Sequence, residues 1–211
     1  MVERQELLAL RERVKTGLGG VLTFFAENAF APDGGYYGRV DQQLVPDPEA
    51  ERLLVLGARL VWSYAAAYRV LGEKKYLDLA VRQLKYMKEN FIDPVNGGAY
   101  WGIMPDGTPS DDDKYPYGNA FLIYGGSELY RAAGNEDGLK LAQELVALLD
   151  VHTLDKENDG YFECYTKDWQ RKEKSFNVPD PALGSKALNT HLHMIESYTN
   201  LLRNCSHAPK H

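Results

Sequence analysis

The chain has 211 residues, 44% hydrophobic and 26% charged, a composition that excludes a disordered or fibrous protein. Its formal net charge is −6 with no basic block, which argues against nucleic acid or an anionic membrane surface as a main partner. The charged start Met1-Val2-Glu3-Arg4-Gln5-Glu6, the lack of any apolar run of membrane-spanning length and the cysteine pair Cys164 and Cys205 point to the cytoplasm, with no disulfide framework.

Residues 3–28 carry Leu7, Leu10, Val14, Leu18, Val21 and Phe25 at helical spacing, and Gly17, Gly19 and Gly20 predict a bend or break near the middle. A loop follows at Pro32-Asp33-Gly34-Gly35-Tyr36-Tyr37-Gly38. Residues 48–71 read as a second helix opened by Asp47-Pro48 and closed by Gly72, and residues 74–92 as a third. Another Gly-rich turn, Asp93 to Trp101, leads to a polar loop over 103–114. Helices are expected over 116–133, closed by Gly134, and over 136–150. The turn Asn158-Asp159-Gly160-Tyr161-Phe162-Glu163 and a polar segment over 165–181 precede a sixth helix at about 183–203.

That last helix holds the most informative stretch, Leu188 to Glu196. Asn189, His193 and Glu196 stand at i, i+4 and i+7, so an amide, an imidazole and a carboxylate share one face beside an apolar stripe of Leu188, Leu192 and Ile195. His191 points elsewhere, because residues two apart do not face each other. A helix that turns such groups inward lines a polar cavity, since buried polar groups need partners.

The chain also repeats. The Gly-rich turns end at Gly35, Gly98 and Gly160, spaced 63 and 62 residues apart, and the helices after them align: Tyr68-Arg69-Val70-Leu71-Gly72 with Tyr130-Arg131-Ala132-Ala133-Gly134. Such a period indicates a helical array or toroid in which each unit is a Gly-rich turn, an inner helix, a short link and an outer helix. The third unit stops early, at Leu201 to Asn204. An open array of this kind exposes apolar edges, which favours association or instability.

Five motifs in order carry a resemblance: Ala58-Arg59-Leu60-Val61-Trp62, Gly97-Gly98-Ala99-Tyr100-Trp101, Lys114 with Tyr117 to Gly125, Gly160-Tyr161-Phe162-Glu163, and Asn189-Thr190-His191-Leu192-His193 through Glu196 and Tyr198. Together they resemble the N-acylglucosamine 2-epimerase family, and its cellobiose 2-epimerase branch most closely. The resemblance implies an all-α fold, an α/α toroid. Residues 1–204 form about half of an (α/α)6 barrel (three helical hairpins, the N-terminal half), and residues 205–211 form a tail. It implies a sugar as substrate, no cofactor, and epimerisation or isomerisation at C2 through a cis-enediol(ate). Arg59 is then the catalytic cation and His193 a catalytic imidazole; Arg59, Asn189 and His193 contact the sugar, and Tyr100 or Trp101 borders it. The family's proton-transfer histidines lie in its C-terminal half, so a homo-oligomer or a complementing C-terminal half is the expected partner.

Other readings stand beside that one. Arg59 could pair with Glu51 or Glu128, and Trp62, Trp101 and Tyr124 could be core. A metal pair of His191 and His193 fails on helix geometry, and no nucleophile motif occurs. His152, His207 and His211 have no matching context. A glycoside hydrolase would draw on Asp33, Asp159 and Glu163, because α/α toroids also host paired-carboxylate chemistry. A non-catalytic sugar-binding or partner-docking fragment is the third class.

Overall fold

The computed structural model describes residues 4–174 and 185–205. Among the described residues six helices are present: α1 (Arg4–Asn28), α2 (Leu54–Leu71), α3 (Lys74–Asn90), α4 (Pro116–Ala133), α5 (Glu136–His152) and α6 (Leu188–Cys205). Helices α2, α4 and α6 lie side by side as an inner layer, while α3 packs on α2 and α5 on α4 as an outer layer. The two inner-to-outer links are short for the same reason. Gly72 and Gly134 take φ of 75° and 66°, and each returns its N–H to a carbonyl in the last turn, Tyr68 and Tyr130. Only glycine enters that left-handed region without penalty. Helices α4 and α5 then cross closely, since a Cβ on Gly126 would stand 2.6 Å from the Gly138 carbonyl oxygen.

The outer-to-inner connections are long and gather at one end. The first contains β1 (Arg39–Val40), β2 (Pro46–Asp47) and β3 (Arg52–Leu53); the second contains β4 (Gly102–Ile103) and β5 (Pro109–Asp111). Strands β1 and β2 pair antiparallel, and β3-β4-β5 form a second antiparallel sheet that sews the first connection to the second. Lys114 and Tyr165 exchange backbone hydrogen bonds, which ties the second connection to the third. Trp169 adds to this: its Nε1 donates to the Asn96 carbonyl at 2.9 Å and its ring meets Gly98.

The repeat is visible at every one of these connections. Each Gly-rich turn closes with an isolated antiparallel bridge, Phe30 with Tyr36, Ile92 with Ala99 and Leu154 with Tyr161. Each also holds a carboxylate paired with a cation two residues before an inner helix: Asp33 with Arg52 at 2.7 Å, Asp93 with Lys114 at 3.1 Å, and Asp155 with Lys186 at 2.6 Å. The central pair is the deepest, with Asp93 3% and Lys114 0% exposed. Burial alone would raise the Asp93 carboxyl, but hydrogen bonds from Val95, Asn96 and Lys114 outweigh it and hold it far below the carboxylate range. At Lys114 burial wins, so the ammonium sits below the usual lysine value despite Asp93.

Several expectations change. Helix α1 runs unbroken through Gly17–Gly20, where a Cβ on Gly17, Gly19 or Gly20 would meet nothing. Helix α2 begins at Leu54 rather than residue 48, since Arg52 and Leu53 are drawn into a strand with β4. The polar loop over 103–114 carries part of the small sheet. Helix α6 starts at Leu188 and reaches Cys205, and residues 206–211 lie outside the described residues.

Two outcomes follow. Replacing Asp93 by Ala strands a buried ammonium and should lower unfolding free energy by about 3–5 kcal/mol in urea titration, whereas Lys74→Ala at an exposed pair should change it by under about 0.5 kcal/mol. Because the Asp93 pKa is depressed on folding, its contribution is complete above the unfolded carboxyl value of about 3.9 and is lost as pH falls below it. The stability gap between the wild type and Asp93→Asn should therefore be widest near neutrality and close on acidification.

Candidate functional site

The inner helices begin at Leu54, Pro116 and Leu188, so equivalent positions can be counted along them. The sixth residue is Arg59 on α2, Phe121 on α4 and His193 on α6. These three meet. The Arg59 guanidinium lies over the Phe121 ring at 4.4 Å, and the His193 ring packs on Phe121 at 4.5 Å between centroids. A cation over an aromatic face is attracted by the ring quadrupole, so Phe121 holds the two polar groups on one wall. Arg59 is exposed and, among the described residues, pairs with no carboxylate; Glu128 is taken by Arg69 at 2.7 Å and Glu51 by Ser110.

The rows on either side follow the same count. The second residues are Val55, Tyr117 and Asn189, and the ninth are Trp62, Tyr124 and Glu196. Tyr117 touches both Phe121 (5.2 Å) and His193 (5.3 Å), and Trp101 joins it from the second connection at 6.2 Å. Trp62 and Tyr124 lie against each other at 5.1 Å, half-buried rather than plain core. His193 Nδ1 and Glu196 Oε2 are 2.8 Å apart, so the expected shared face is present. With Nδ1 donating to Glu196, Nε2 is the acceptor of the neutral ring. Asn189 is exposed at the start of the same face.

Not every candidate joins this cluster. The Tyr100 ring carries the Lys114 ammonium at 4.2 Å, beside the Asp93 lock. His191 donates from Nδ1 to the Ala187 carbonyl at 2.7 Å and accepts the Tyr161 N–H on Nε2 at 3.0 Å, which makes it a structural residue pointing away from His193. His152 stacks on Trp169 instead, and His207 and His211 lie outside the described residues.

The hydrolase carboxylates are also accounted for. Asp33 binds Arg52, and buried Glu163 accepts from the Ala187 N–H and the Thr190 hydroxyl at the start of α6. Asp159 is an exposed turn residue with φ of 57°, whose carbonyl receives Lys186. Among the described residues no cluster of three or more His, Cys, Asp or Glu could hold a metal.

Sequence reading gave no role to Phe121 or to the Asp–cation locks. The period contained a signal for the first, since the 62-residue offset that aligns Gly72 with Gly134 also sets Arg59 on Phe121.

An arc of inner helices lined by matched rows, with long connections at one mouth, is one side of an α/α toroid. Residues 35–198 match the N-acylglucosamine 2-epimerase (GlcNAc 2-epimerase) family, and the chain belongs to it. A cellobiose 2-epimerase of Bacteroides fragilis is 39% identical over 171 residues, 81% of this chain and 44% of the relative. The structure of a cellobiose 2-epimerase from Spirochaeta thermophila superposes with a TM-score of 0.86 at 32% identity, over 96% of this chain and 51% of that one. A D-mannose isomerase of Marinomonas mediterranea is 25% identical over 83% of this chain and 41% of its own length. The chain thus spans about half the length of the relatives it matches and corresponds to their N-terminal half.

The two histidines of α6 should separate cleanly. His191→Ala leaves the Tyr161 N–H unmatched and should cost about 1–3 kcal/mol of stability, while His193→Ala, half-buried against Phe121, should cost much less; chemical denaturation of both variants measures this.

Proposed function

We propose that this chain supplies one wall of a sugar 2-epimerase or isomerase site, acting at C2 of an aldose or of its N-acyl or disaccharide form. The observation that carries the reading is the row Arg59–Phe121–His193 across three inner helices. Removing the C2 proton of an open-chain aldose moves an electron pair into a C1–C2 double bond and places negative charge on O1. A fixed guanidinium such as Arg59 stabilises that charge. Return of a proton to the opposite face of C2 gives the epimer; its return to C1 gives the ketose. The groups that exchange the carbon-bound proton belong to the opposite wall of the toroid. His193, oriented by Glu196, exchanges protons with a sugar oxygen through Nε2. Asn189 binds hydroxyls, and the Trp101 ring borders the sugar through its contact with Tyr117. Tyr100 takes a supporting place, because its face is already occupied by Lys114.

The membership of the family, the cellobiose 2-epimerase relatives and the D-mannose isomerase relative support this chemistry and a sugar substrate. The reading requires no redox cofactor, since the reaction is proton transfer alone. No helix of the described residues is long and apolar enough to cross a membrane. We place the protein in the cytoplasm, a reading supported by the low cysteine content and the buried, unbridged Cys164.

The test combines binding and exchange. Mannose, glucose, cellobiose and N-acetylglucosamine are each added to the chain in D2O while the His193 and Trp101 resonances and the sugar C2 proton are followed by NMR. One sugar should shift both resonances, and Arg59→Ala should weaken that response about tenfold or more. Deuterium at C2 would add that the cavity is closed by a second wall. If no sugar perturbs either residue of the folded protein, the reading is wrong.

A further inference from the structure

The fourth residue of each inner helix marks one task done with three different side chains. On α4 it is Asn119, whose Oδ1 accepts the Ala99 N–H at 2.9 Å and whose Nδ2 donates to the Tyr115 carbonyl at 2.9 Å. On α6 it is His191, whose Nε2 accepts the Tyr161 N–H at 3.0 Å while Nδ1 donates to the Ala187 carbonyl at 2.7 Å. Ala99 and Tyr161 follow the last glycine of their turns, and Tyr115 and Ala187 are the last residues before their helices. On α2 the fourth residue is Gly57, and the task passes to Tyr36, which follows Gly35. Its hydroxyl donates to the carbonyl of Leu53, the last residue before α2, at 2.6 Å. The ring fills the space a side chain at 57 would take, since a Cβ there would stand 2.7 Å from Tyr36 Cε1. Each Gly-rich turn is thereby pinned to the carbonyl that opens the next inner helix.

Of the three pins, the one on α6 can change charge near neutral pH. An amide does not titrate, and burial holds the Tyr36 hydroxyl well above the usual tyrosine range. A backbone N–H can only donate, so Nε2 of His191 presents a lone pair and the proton of the neutral ring sits on Nδ1. The protonated ring has two N–H donors and no acceptor. A second proton would therefore set Nε2–H against the Tyr161 N–H and leave that backbone donor without its partner. The ring is pressed on the turn, since a Cβ on Gly160 would lie 2.6 Å from Nε2. The charged and titratable groups around it are engaged elsewhere. Lys186 holds Asp155 and the Asp159 carbonyl, Tyr161 donates its hydroxyl to Asp150, and Glu163 takes the Ala187 N–H and the Thr190 hydroxyl. The Tyr198 ring packs edge-on to Tyr161, and Asp159 is exposed. Neither nitrogen of His191 meets a carboxylate that would hold a positive ring in place.

We infer that His191 is a positioning residue that works only as the neutral ring protonated on Nδ1, so that proton uptake releases the third Gly-rich turn from the start of α6. Asn189 and His193 stand two residues to either side of it, so the release acts on the helical turn that carries both. The pin is complete above the range in which imidazole takes up a proton, about pH 5–8, and is lost as pH falls through that range. Asn119 makes the same two bonds with a group that does not titrate, so the chain carries its own control. The inference rests on hydrogen bonds and the repeat, and it stands whether or not a sugar binds.

Ring-nitrogen NMR of the 211-residue chain reads the tautomer, and amide hydrogen exchange reads the pin. At about pH 8 the His191 proton should sit on Nδ1. Between about pH 8 and about pH 5 the protection of the Tyr161 N–H, corrected for intrinsic exchange, should fall at least about tenfold, while that of the Ala99 N–H stays level. His191→Asn copies the Asn119 pin, so it should keep Tyr161 protected and remove the dependence on pH. His191→Ala should lose the protection at both ends of the range. Should His191→Asn not fold, the wild-type tautomer and the comparison of Tyr161 with Ala99 still decide. A ring protonated on Nε2 near pH 8, a Tyr161 protection that stays level or falls in parallel with Ala99, or the same fall in folded His191→Asn would overturn the inference.

Discussion

Everything at the mouth of this fold hangs on a carboxylate–cation lock made three times. Each inner helix is entered by a long connection, and a long connection is entropically costly to hold in one place. Arg52, Lys114 and Lys186 stand two residues before their helices and bind Asp33, Asp93 and Asp155 on the preceding turns. That clamp fixes where each helix starts, and so which residues occupy its sixth position. The middle lock is completely enclosed, which gives it the largest penalty for losing either partner. The outer two are more exposed and contribute less.

The clamp and other structural pairings decide which polar groups already have a fixed place in the fold. Asp33 and Glu163 would suit paired-carboxylate catalysis by residue type, yet one is bound by Arg52 and the other holds the start of α6. His191 is satisfied on both ring nitrogens by backbone groups. What remains along the inner wall is Arg59, His193 with Glu196, and an aromatic bed of Phe121, Tyr117 and Trp101. A cation and an imidazole held about one ring apart fit proton transfer at a sugar oxygen better than hydrolysis by two carboxylates.

The edges follow from the repeat as directly as the site does. A repeating helical array presents the same face at every step, so α6, with no further inner helix beside it among the described residues, still offers what α2 and α4 have buried. Leu188, Leu192 and Ile195 are exposed for that reason and not because α6 is a surface helix. Helix α1 shows the mirror problem, an outer helix whose apolar face matches those of α3 and α5.

The sequence by itself determined the helical order, the period of the array and the family, because apolar spacing, glycine stops and ordered motifs are local signals. It also placed Asn189, His193 and Glu196 on one face, since i, i+4 and i+7 geometry needs no neighbours. It misjudged the start of α2, where cross-strand pairing with β4 overrode the Asp47-Pro48 signal. Only the tertiary structure decided that Phe121 joins Arg59 to His193, that Tyr100 serves Lys114, and that Asp33 and Glu163 are structural. Those outcomes depend on contacts between residues 14 to 72 positions apart, from Tyr100 with Lys114 to Phe121 with His193, and helical spacing carries no information over such distances.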